Sequence, residues 1–411
     1  MNVAAGKCPH VNLIDPDTFI GGPPREFFKT IRAESPVYWH EEDTAEGGFW
    51  VISRHRDLDF VSKNPKLFSS WEKTPYVMDS EPDRLEMNRT QIICMDPPEH
   101  IKYRRIIRNA FVPSKVDSYT ERFEQIARDI LDRAVEGGEC EFVEDIAAEL
   151  PLIAICELMG IPIEGRKQLF EWTNIMLGLD DPDLVTTEND GFMAVMSVYE
   201  YGKKIAEEHR QNPKDDIVNT LLSGEVEGEA LTEDEFCNFF LLLLVAGNET
   251  TRTVTSHAMR LLIESGQYQQ LVDDPSLLEH AIEEALRYTP AVTTFRRTAM
   301  EDVEVGGQAM KKGDKVLMYY ASANADEEFF ADPDTFDITR PLREDVRNNH
   351  RAFGIGEHFC LGSHLARLEL KVILGEVIKR IRKPEFNGEV KWLRSNFING
   401  IKKMPIKFEV A

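Results

Sequence analysis

The longest stretch of helical periodicity in the sequence begins at Thr232. Thr232 and Glu235 form a capping box, in which each side chain can bond to the other's backbone N–H. The apolar pattern then continues to about Ser265, and Gly266 is a typical helix end. About 34 residues at 1.5 Å each give a helix of about 50 Å, long enough to cross a whole domain. Its centre, Phe239–Val245, is apolar on every face, which predicts burial all round.

Short runs of β-branched and aromatic residues predict three small sheet regions in an otherwise helical chain. The paired runs are Val37–His40 with Phe49–Ser53, Val303–Gly307 with Lys315–Tyr320, and Arg394–Phe397 with Ile401–Phe408. Gly313-Asp314 and Asn399-Gly400 are the turns predicted within the second and third pairs. No repeat or low-complexity linker interrupts the chain, so residues 1–411 are expected to form one mainly α domain with small β-sheets.

The composition excludes several classes of protein. Of 411 residues, 48 are Lys or Arg and 72 are Asp or Glu, a net charge of −24. Bulk binding to nucleic acid or to an anionic membrane needs a broad positive field, which this charge does not provide. The longest strongly apolar run, Phe239–Ala246, is far shorter than a membrane span. Met1–His10 lacks the pattern of a signal peptide, and the six cysteines are too sparse for a disulfide framework, so we expect a cytoplasmic protein.

A polar segment follows directly after the apolar centre of the long helix. Residues 246–251 read Ala-Gly-Asn-Glu-Thr-Thr. Gly247 costs about 1 kcal/mol relative to alanine inside a helix, and the polar side chains would be unsatisfied in an apolar core. A glycine lets a flat ligand approach the backbone, and a threonine hydroxyl can bond to the carbonyl one turn earlier. Two interpretations stay open: a kinked helix with satisfied polar groups, or a ligand groove with proton-transfer groups.

A second unusual segment, Phe353–Gly362, combines glycines, a histidine and a cysteine. Its glycines allow a tight loop, and Cys360 precedes a predicted helix from Gly362 to about Arg382. A cysteine at a helix N-terminus faces the positive end of the helix dipole, which favours the thiolate. A thiolate is a strong axial ligand to haem iron. An ordinary tight turn is the alternative for a glycine-rich loop with one cysteine.

These segments resemble the signature motifs of the cytochrome P450 family. Phe353–Gly362 resembles its haem-binding loop, with Cys360 as the proximal iron ligand. Ala246–Thr250 resembles the O₂-activation motif of the long central helix, and Glu284–Arg287 resembles the buried ExxR pair. The motifs follow the family's order, and the resemblance covers essentially the whole chain. It implies the cytochrome P450 fold, with haem b between the central helix and the cysteine-bearing loop and helix.

The resemblance also implies which residues hold the haem. They are His100, Arg104, Arg297 and His358 for the propionates, Cys360 for the iron, and Phe353, Ala246 and Gly247 for the ring. His100 and Arg104 are four residues apart, so both lie on one helix face. Arg296 is adjacent to Arg297, and the choice of Arg297 rests on its spacing to Asp302.

One position departs from the family's pattern. Bacterial members often carry an arginine in a Pro-x-Arg-Phe loop that completes a network with the ExxR pair, and this chain has Thr335 there. Arg340 is close enough in sequence to serve instead. The third member of the network is therefore left open at this point.

By resemblance, the chain is a monooxygenase that uses O₂ and two electrons to insert one oxygen atom into an unactivated C–H bond. Thr250 is expected to hydrogen-bond near the bound O₂ and to position a water, and Glu249 to relay protons from solvent. Electrons are expected from a separate ferredoxin-type protein, and a monomer is expected. Candidate docking residues near the haem-binding segments are Lys102, Arg105, Arg108, Arg351, Arg367 and Lys371.

The substrate is expected to be a small apolar molecule bound mainly by burial. Candidate pocket residues, again by resemblance, are Leu242, Val245, Ala246, Thr293, Phe295, Phe397 and Ile398. Arg394–Ile401 resembles bacterial members that oxidise sterols, steroids and terpenoids, so these are the first choice of substrate, with fatty acids and aromatic hydrocarbons as alternatives. A peroxide-driven, desaturating or dehydrating haem-thiolate enzyme and a non-catalytic haem sensor are the rival classes. The Glu249–Thr250 pair counts against peroxide use, and Glu249 counts against the sensor.

Overall fold

The computed structural model describes residues 11–43, 47–187 and 189–411. Three segments lie outside the described residues: residues 1–10, residues 44–46 in the loop between the first two strands, and residue 188. The first of these segments contains Cys8 and the N-terminal region for which no signal peptide is predicted. The α-helices are α1 (Arg25–Glu34), α2 (His55–Lys63), α3 (Pro82–Arg89), α4 (Glu99–Ile107), α5 (Pro113–Asp117), α6 (Thr120–Ala134), α7 (Glu149–Leu158), α8 (Arg166–Leu177), α9 (Asp190–Gln211), α10 (Ile217–Leu222), α11 (Glu233–Glu264), α12 (Tyr268–Asp273), α13 (Leu278–Tyr288), α14 (Tyr320–Ala323), α15 (Val346–Asn349) and α16 (Ser363–Arg380). The strands are β1 (Val37–Glu41), β2 (Gly48–Ile52), β3 (Phe68–Ser69), β4 (Glu139–Glu141), β5 (Glu225–Val226), β6 (Glu229–Ala230), β7 (Thr294–Ala299), β8 (Val303–Val305), β9 (Gln308–Met310), β10 (Lys315–Tyr319), β11 (Ile381–Phe386), β12 (Lys391–Trp392), β13 (Ile401–Lys403) and β14 (Pro405–Val410).

The central helix α11 agrees with its prediction. The Thr232 N–H donates to Glu235 Oε2 at 2.8 Å, and the Glu235 N–H donates to Thr232 Oγ1 at 3.3 Å, which completes the capping box. The predicted burial all round holds only in part. Leu242 and Leu243 are half-buried and Ala246 is exposed, because these side chains face an internal cavity instead of the core.

The largest sheet has the order β1-β2-β10-β7-β3. The predicted β1–β2 hairpin is confirmed, with Val37 opposite Ile52. The predicted partnership of Val303–Gly307 with Lys315–Tyr320 is wrong. β8 instead pairs with β9, around Gly306 and Gly307, whose positive φ angles of 54° and 80° suit a tight hairpin turn. β10 runs parallel to β2 and antiparallel to β7, so its partners are not its neighbours in sequence.

The C-terminal region also differs from its prediction. Arg394–Phe397 forms no strand, and β13 pairs instead with β12, two residues before that segment. β14 pairs with β11 and with β4, which comes from much earlier in the chain.

The main hydrophobic core surrounds α11. It gathers buried side chains from α6, α7, α9, α13 and α16, so α11 and α16 are held rigidly on two sides of the cavity. Among the described residues, no helix combines the length and the apolar character needed to cross a membrane.

Candidate functional site

A cavity separates α11 from the loop that precedes α16. From α11, the side chains of Leu242, Ala246 and Thr250 and the backbone at Gly247 line this cavity. From the loop and α16, its lining residues are Phe353, Gly354, Ile355, His358, Cys360, Leu361, Gly362, Leu365 and Glu369. The two unusual segments of the sequence therefore face each other across one space.

Cys360 occupies the end of a tight loop. Gly354 and Gly356 have φ angles of 67° and 77°, a conformation that side chains rarely adopt, and the Cys360 N–H donates to the Phe353 carbonyl at 2.9 Å. Cys360 is exposed to the cavity that it lines. Burial raises the pKa of its thiol, while the Gly362 N–H at the start of α16 and the nearby Arg104 lower it.

Four donor groups converge at one end of the cavity. His100 and Arg104 come from α4, Arg297 from β7, and His358 from the cysteine loop. The rings of His100 and His358 lie 4.2 Å apart between centroids. Arg104 Nη2 donates to the Phe359 carbonyl at 2.5 Å, and Arg297 Nη1 donates to the Arg296 carbonyl at 2.7 Å.

None of these four groups has an ion-pair partner among the described residues. Arg297 is buried, and neither Arg297 nor Arg104 forms an ion pair with a described carboxylate. Burial, together with the nearby charges of Arg104 and Arg297, lowers the pKa of His100 to about 4. The His100 Nδ1 has no partner among the described residues. Buried cations that lack a partner are costly, so the cluster fits a bound group carrying two carboxylates, as haem does.

The ligand available for an iron ion also fits a bound haem. No group of three or more metal-ligating side chains occurs among the described residues. Cys360, a single sulfur ligand facing the cavity, is the donor set that an iron already held by a porphyrin requires. All eight residues expected to hold the haem line this one cavity: Cys360, His100, Arg104, Arg297, His358, Phe353, Ala246 and Gly247.

Thr250 and Glu249 are adjacent in sequence but lie in different surroundings. Thr250 lines the cavity, and its hydroxyl donates to the Ala246 carbonyl at 2.8 Å. Glu249 is buried outside the lining, where it forms an ion pair with Arg252 and accepts from Thr253 at 3.3 Å. The structure thus brings Thr250, and not Glu249, to the cavity.

A second acid, which the sequence analysis missed, does reach the cavity. Glu369 of α16 is buried and lines the cavity beside Thr251, and its Oε2 has no partner among the described residues. Burial raises the pKa of Glu369 to about 8, and this value includes the smaller, opposite effect of a hydrogen bond with Thr251. The signal was present in the sequence: Glu369 interrupts an apolar helical stripe, four residues after Leu365 and three before Val372.

The network left open in the sequence contains Arg340. Glu284 accepts two hydrogen bonds from Arg287, both at 2.7 Å, and one from Arg340 Nε at 3.1 Å. Thr335 contributes its backbone carbonyl, which accepts from Arg287 at 3.3 Å and from Arg340 at 2.9 Å. Arg340 therefore takes the third position in place of a side chain at Thr335.

The expected substrate residues divide into two groups. Leu242, Ala246 and Phe295 line the cavity. Val245, Thr293, Phe397 and Ile398 lie outside its lining, and the Phe397 ring packs edge-on against Phe295 at 5.5 Å. Other apolar lining residues include Ile92, Ile93, Ile155, Leu243, Val254, Leu286 and Val292.

Most of the candidate docking cations are already neutralised by carboxylates. Lys102 pairs with Glu99 and Glu227, Arg351 with Asp59, Arg367 with Glu283, and Lys371 with Glu279. Arg105 and Arg108 form no such pair with the described residues. Both are exposed, and they line a surface depression together with Arg104.

Comparison with known proteins agrees with this geometry. The family model for cytochrome P450 matches residues 269–393. A steroid C26-monooxygenase of Rhodococcus jostii is 37% identical over 409 residues, covering 97% of this chain and 85% of that protein. A linalool 8-monooxygenase of Pseudomonas putida is 35% identical over 403 residues, covering 96% and 98%. The structure of a Mycobacterium marinum cytochrome P450 in complex with pseudoionone superimposes with a TM-score of 0.89 at 32% identity, covering 99% of this chain and all of that one.

Proposed function

The chain belongs to the cytochrome P450 family and is a haem-iron monooxygenase of apolar small molecules; from this premise we propose that it hydroxylates a terminal methyl carbon of a branched isoprenoid chain. Carbon 26 of a steroid and carbon 8 of linalool are both terminal carbons of such chains, and these are the positions named for two of its relatives. The proposed substrate is therefore a steroid side chain or an acyclic terpenoid.

The charges of the cavity support a neutral substrate. Apart from Glu369, the charged and histidine side chains in its lining are His100, Arg104, Arg297 and His358. All four are assigned to the haem carboxylates, so none of them is left to hold the carboxylate of a fatty acid. The remaining lining is dominated by leucine, isoleucine, valine and phenylalanine, which bind by burial.

The observation that carries the proposal is that Cys360 and Thr250 line the same cavity. The haem, proposed as haem b, supplies the iron centre that activates O₂ when it is bound. Cys360 would ligate that iron, and the four donors would hold its carboxylates. The Thr250 hydroxyl donates to Ala246, so its oxygen remains free to accept a hydrogen bond from a water in the cavity.

We propose that Glu369 is a proton source for the reaction. It is mostly protonated at neutral pH because burial raises its pKa to about 8, and it lines the cavity beside Thr251. Glu249 remains a candidate for relaying protons, but it would first have to leave its ion pair with Arg252.

A separate ferredoxin-type protein is proposed as the electron donor. Arg105 and Arg108 are proposed to contact it, because both are exposed, without a described carboxylate partner, and follow the haem-binding Arg104. A monomer is proposed. A cytoplasmic location is proposed.

Spectral titration of the purified ferric protein tests the substrate class. The panel contains a steroid with a branched side chain, linalool, and a saturated fatty acid of similar length to the side-chain steroid. We expect the steroid or linalool to shift the haem spin state with saturation, and the fatty acid to bind at least tenfold more weakly. A spin shift with the fatty acid alone would overturn the proposal.

A further inference from the structure

A second cleft, of about 460 Å³, lies between α1, the C-terminal half of α11 and the segment around Asn399. We call it the Arg25 cleft. Its charged, polar and aromatic lining residues are Arg25, Glu26, Phe27, His257, Arg260, Glu264, Tyr288, Thr289, Trp392 and Asn399. None of its lining residues lines the cavity that contains Cys360 and Thr250, which we call the haem cavity. The Arg25 cleft is therefore a separate site.

The Arg25 cleft contains a cation that forms no ion pair with the described residues. The Arg25 guanidinium lies 3.8 Å above the centre of the Tyr288 ring, and its Nη2 donates to the Tyr288 carbonyl at 2.5 Å. No carboxylate of the described chain lies within ion-pair distance of Arg25, and its Nε and Nη1 have no described partner. Asp334, which acts on Arg25 electrostatically, is held by Lys29 at 2.8 Å. Two nitrogen atoms of this half-buried guanidinium, Nε and Nη1, therefore remain available to donate to a ligand.

The second cation in the cleft, in contrast, has an ion-pair partner. Arg260 Nη1 pairs with Glu264 at 2.5 Å, and its Nε donates to His257 Nδ1 at 3.3 Å. His257 Nε2 donates to the Asn399 carbonyl at 2.7 Å. Both ring nitrogens are thus engaged, and burial lowers the pKa of His257 to about 3, so this histidine is neutral.

The cleft also contains an acceptor without a donor. Asn399 is 5% exposed, and its Oδ1 has no partner among the described residues. Its Nδ2 donates to the Pro290 carbonyl at 3.5 Å, which leaves Oδ1 on the side of Gly22 and Trp392, two other lining residues. A buried amide oxygen without a donor is costly unless a ligand or a water supplies one.

We propose that the Arg25 cleft binds an aromatic carboxylate that carries a hydroxyl or N–H group. Arg25 would donate to the carboxylate, Asn399 Oδ1 would accept from the hydroxyl or N–H, and the ring would lie against Trp392. A guanidinium donates to a carboxylate through charge-assisted bonds that a neutral amide cannot match. The cleft should therefore discriminate by charge between ligands of the same shape.

Isothermal titration calorimetry of the ferric haem-loaded protein tests this proposal. The probes are 4-hydroxybenzoate and its neutral isostere 4-hydroxybenzamide, with imidazole bound to the haem iron so that the haem cavity is blocked. We expect saturable 1:1 binding of 4-hydroxybenzoate and at least tenfold weaker binding of the amide. This comparison needs no variant, so it does not depend on the folding of a mutant.

Two variants locate the binding. Arg25→Gln should weaken 4-hydroxybenzoate binding at least tenfold, whereas Arg56→Gln, at an arginine with a 76% exposed side chain, should leave it unchanged. Circular dichroism confirms that both variants are folded. Equal binding of acid and amide, retention of affinity in Arg25→Gln, or an absence of binding up to 10 mM would each overturn the proposal.

Discussion

Replacing Arg340 with alanine should destabilise the protein by about 3–5 kcal/mol, the cost of breaking a buried ion pair by removing one partner. Arg340 is 2% exposed. Its guanidinium binds Glu284 and also donates to the carbonyls of Ala331, Asp332 and Thr335. The variant removes that donor from the three carbonyls, but Thr335 still accepts from Arg287, and Ala331, Asp332 and Thr335 are exposed, so water replaces the lost donor there. The loss therefore comes mainly from the buried Glu284, and the remaining pair of Glu284 with Arg287 limits it.

Chemical unfolding of the ferric haem-loaded protein, followed by circular dichroism, measures this loss. Arg343→Ala is the matched control, because Arg343 forms an ion pair with Asp337 at 2.7 Å but its side chain is 53% exposed. An exposed pair contributes at most about 1 kcal/mol. Arg340→Lys should recover less than half of the loss, since a lysine cannot reproduce the fork of a guanidinium. If Arg340→Ala cost no more than Arg343→Ala, the assignment of Arg340 to the network would be refuted.

Three further changes test the site. Thr250→Ala should leave substrate binding intact but uncouple turnover, so that peroxide is released at the expense of product; a wild-type ratio of product to reductant consumed would contradict the role of Thr250. The pKa of Glu369 is raised from 4.5 to about 8, so the folded protein holds a proton there that the unfolded chain releases, and stability falls as the pH rises from about 4.5 to 8. Glu369→Gln removes this loss, which at about 1.4 kcal/mol per pKa unit amounts to about 5 kcal/mol at most; unfolding at pH 5 and pH 8 measures it, and an unchanged pH dependence would show that Glu369 is not the buried acid. Arg105→Glu with Arg108→Glu should raise the KM for the ferredoxin donor and reduce its salt dependence, with Lys102→Glu as a control at a cation that is already paired; equal effects of all three substitutions would argue against a specific patch.

The sequence predicted local features well. Thr232 and Glu235 located the start of α11, because a capping box involves residues only three positions apart. The loop at Cys360 was also predictable, since its chemistry is contained in ten consecutive residues. The family resemblance then pointed to eight residues from distant segments as those expected to hold the haem, and all eight line one cavity.

Features that depend on contacts between distant segments were harder to predict. β10 was assigned to a neighbouring strand, whereas its partners β2 and β7 are set by packing across the sheet. Glu249 was expected to act beside Thr250. Adjacent side chains on a helix point in directions about 100° apart, however, so Glu249 does not face the cavity with Thr250. It forms an ion pair with Arg252 instead. Glu369 was missed for the related reason that its proximity to Thr251 arises only when α16 packs against α11.

We expect this chain to insert one atom of O₂ into an apolar substrate at the Cys360 site. Turnover under ¹⁸O₂ with a ferredoxin, its reductase and a side-chain steroid or linalool tests it, with mass spectrometry of the product. We predict one ¹⁸O atom in each hydroxylated product, strict dependence on reductant, and no labelled product from Cys360→Ala. Unlabelled product, product carrying oxygen from water, or undiminished labelling in Cys360→Ala would contradict the claim.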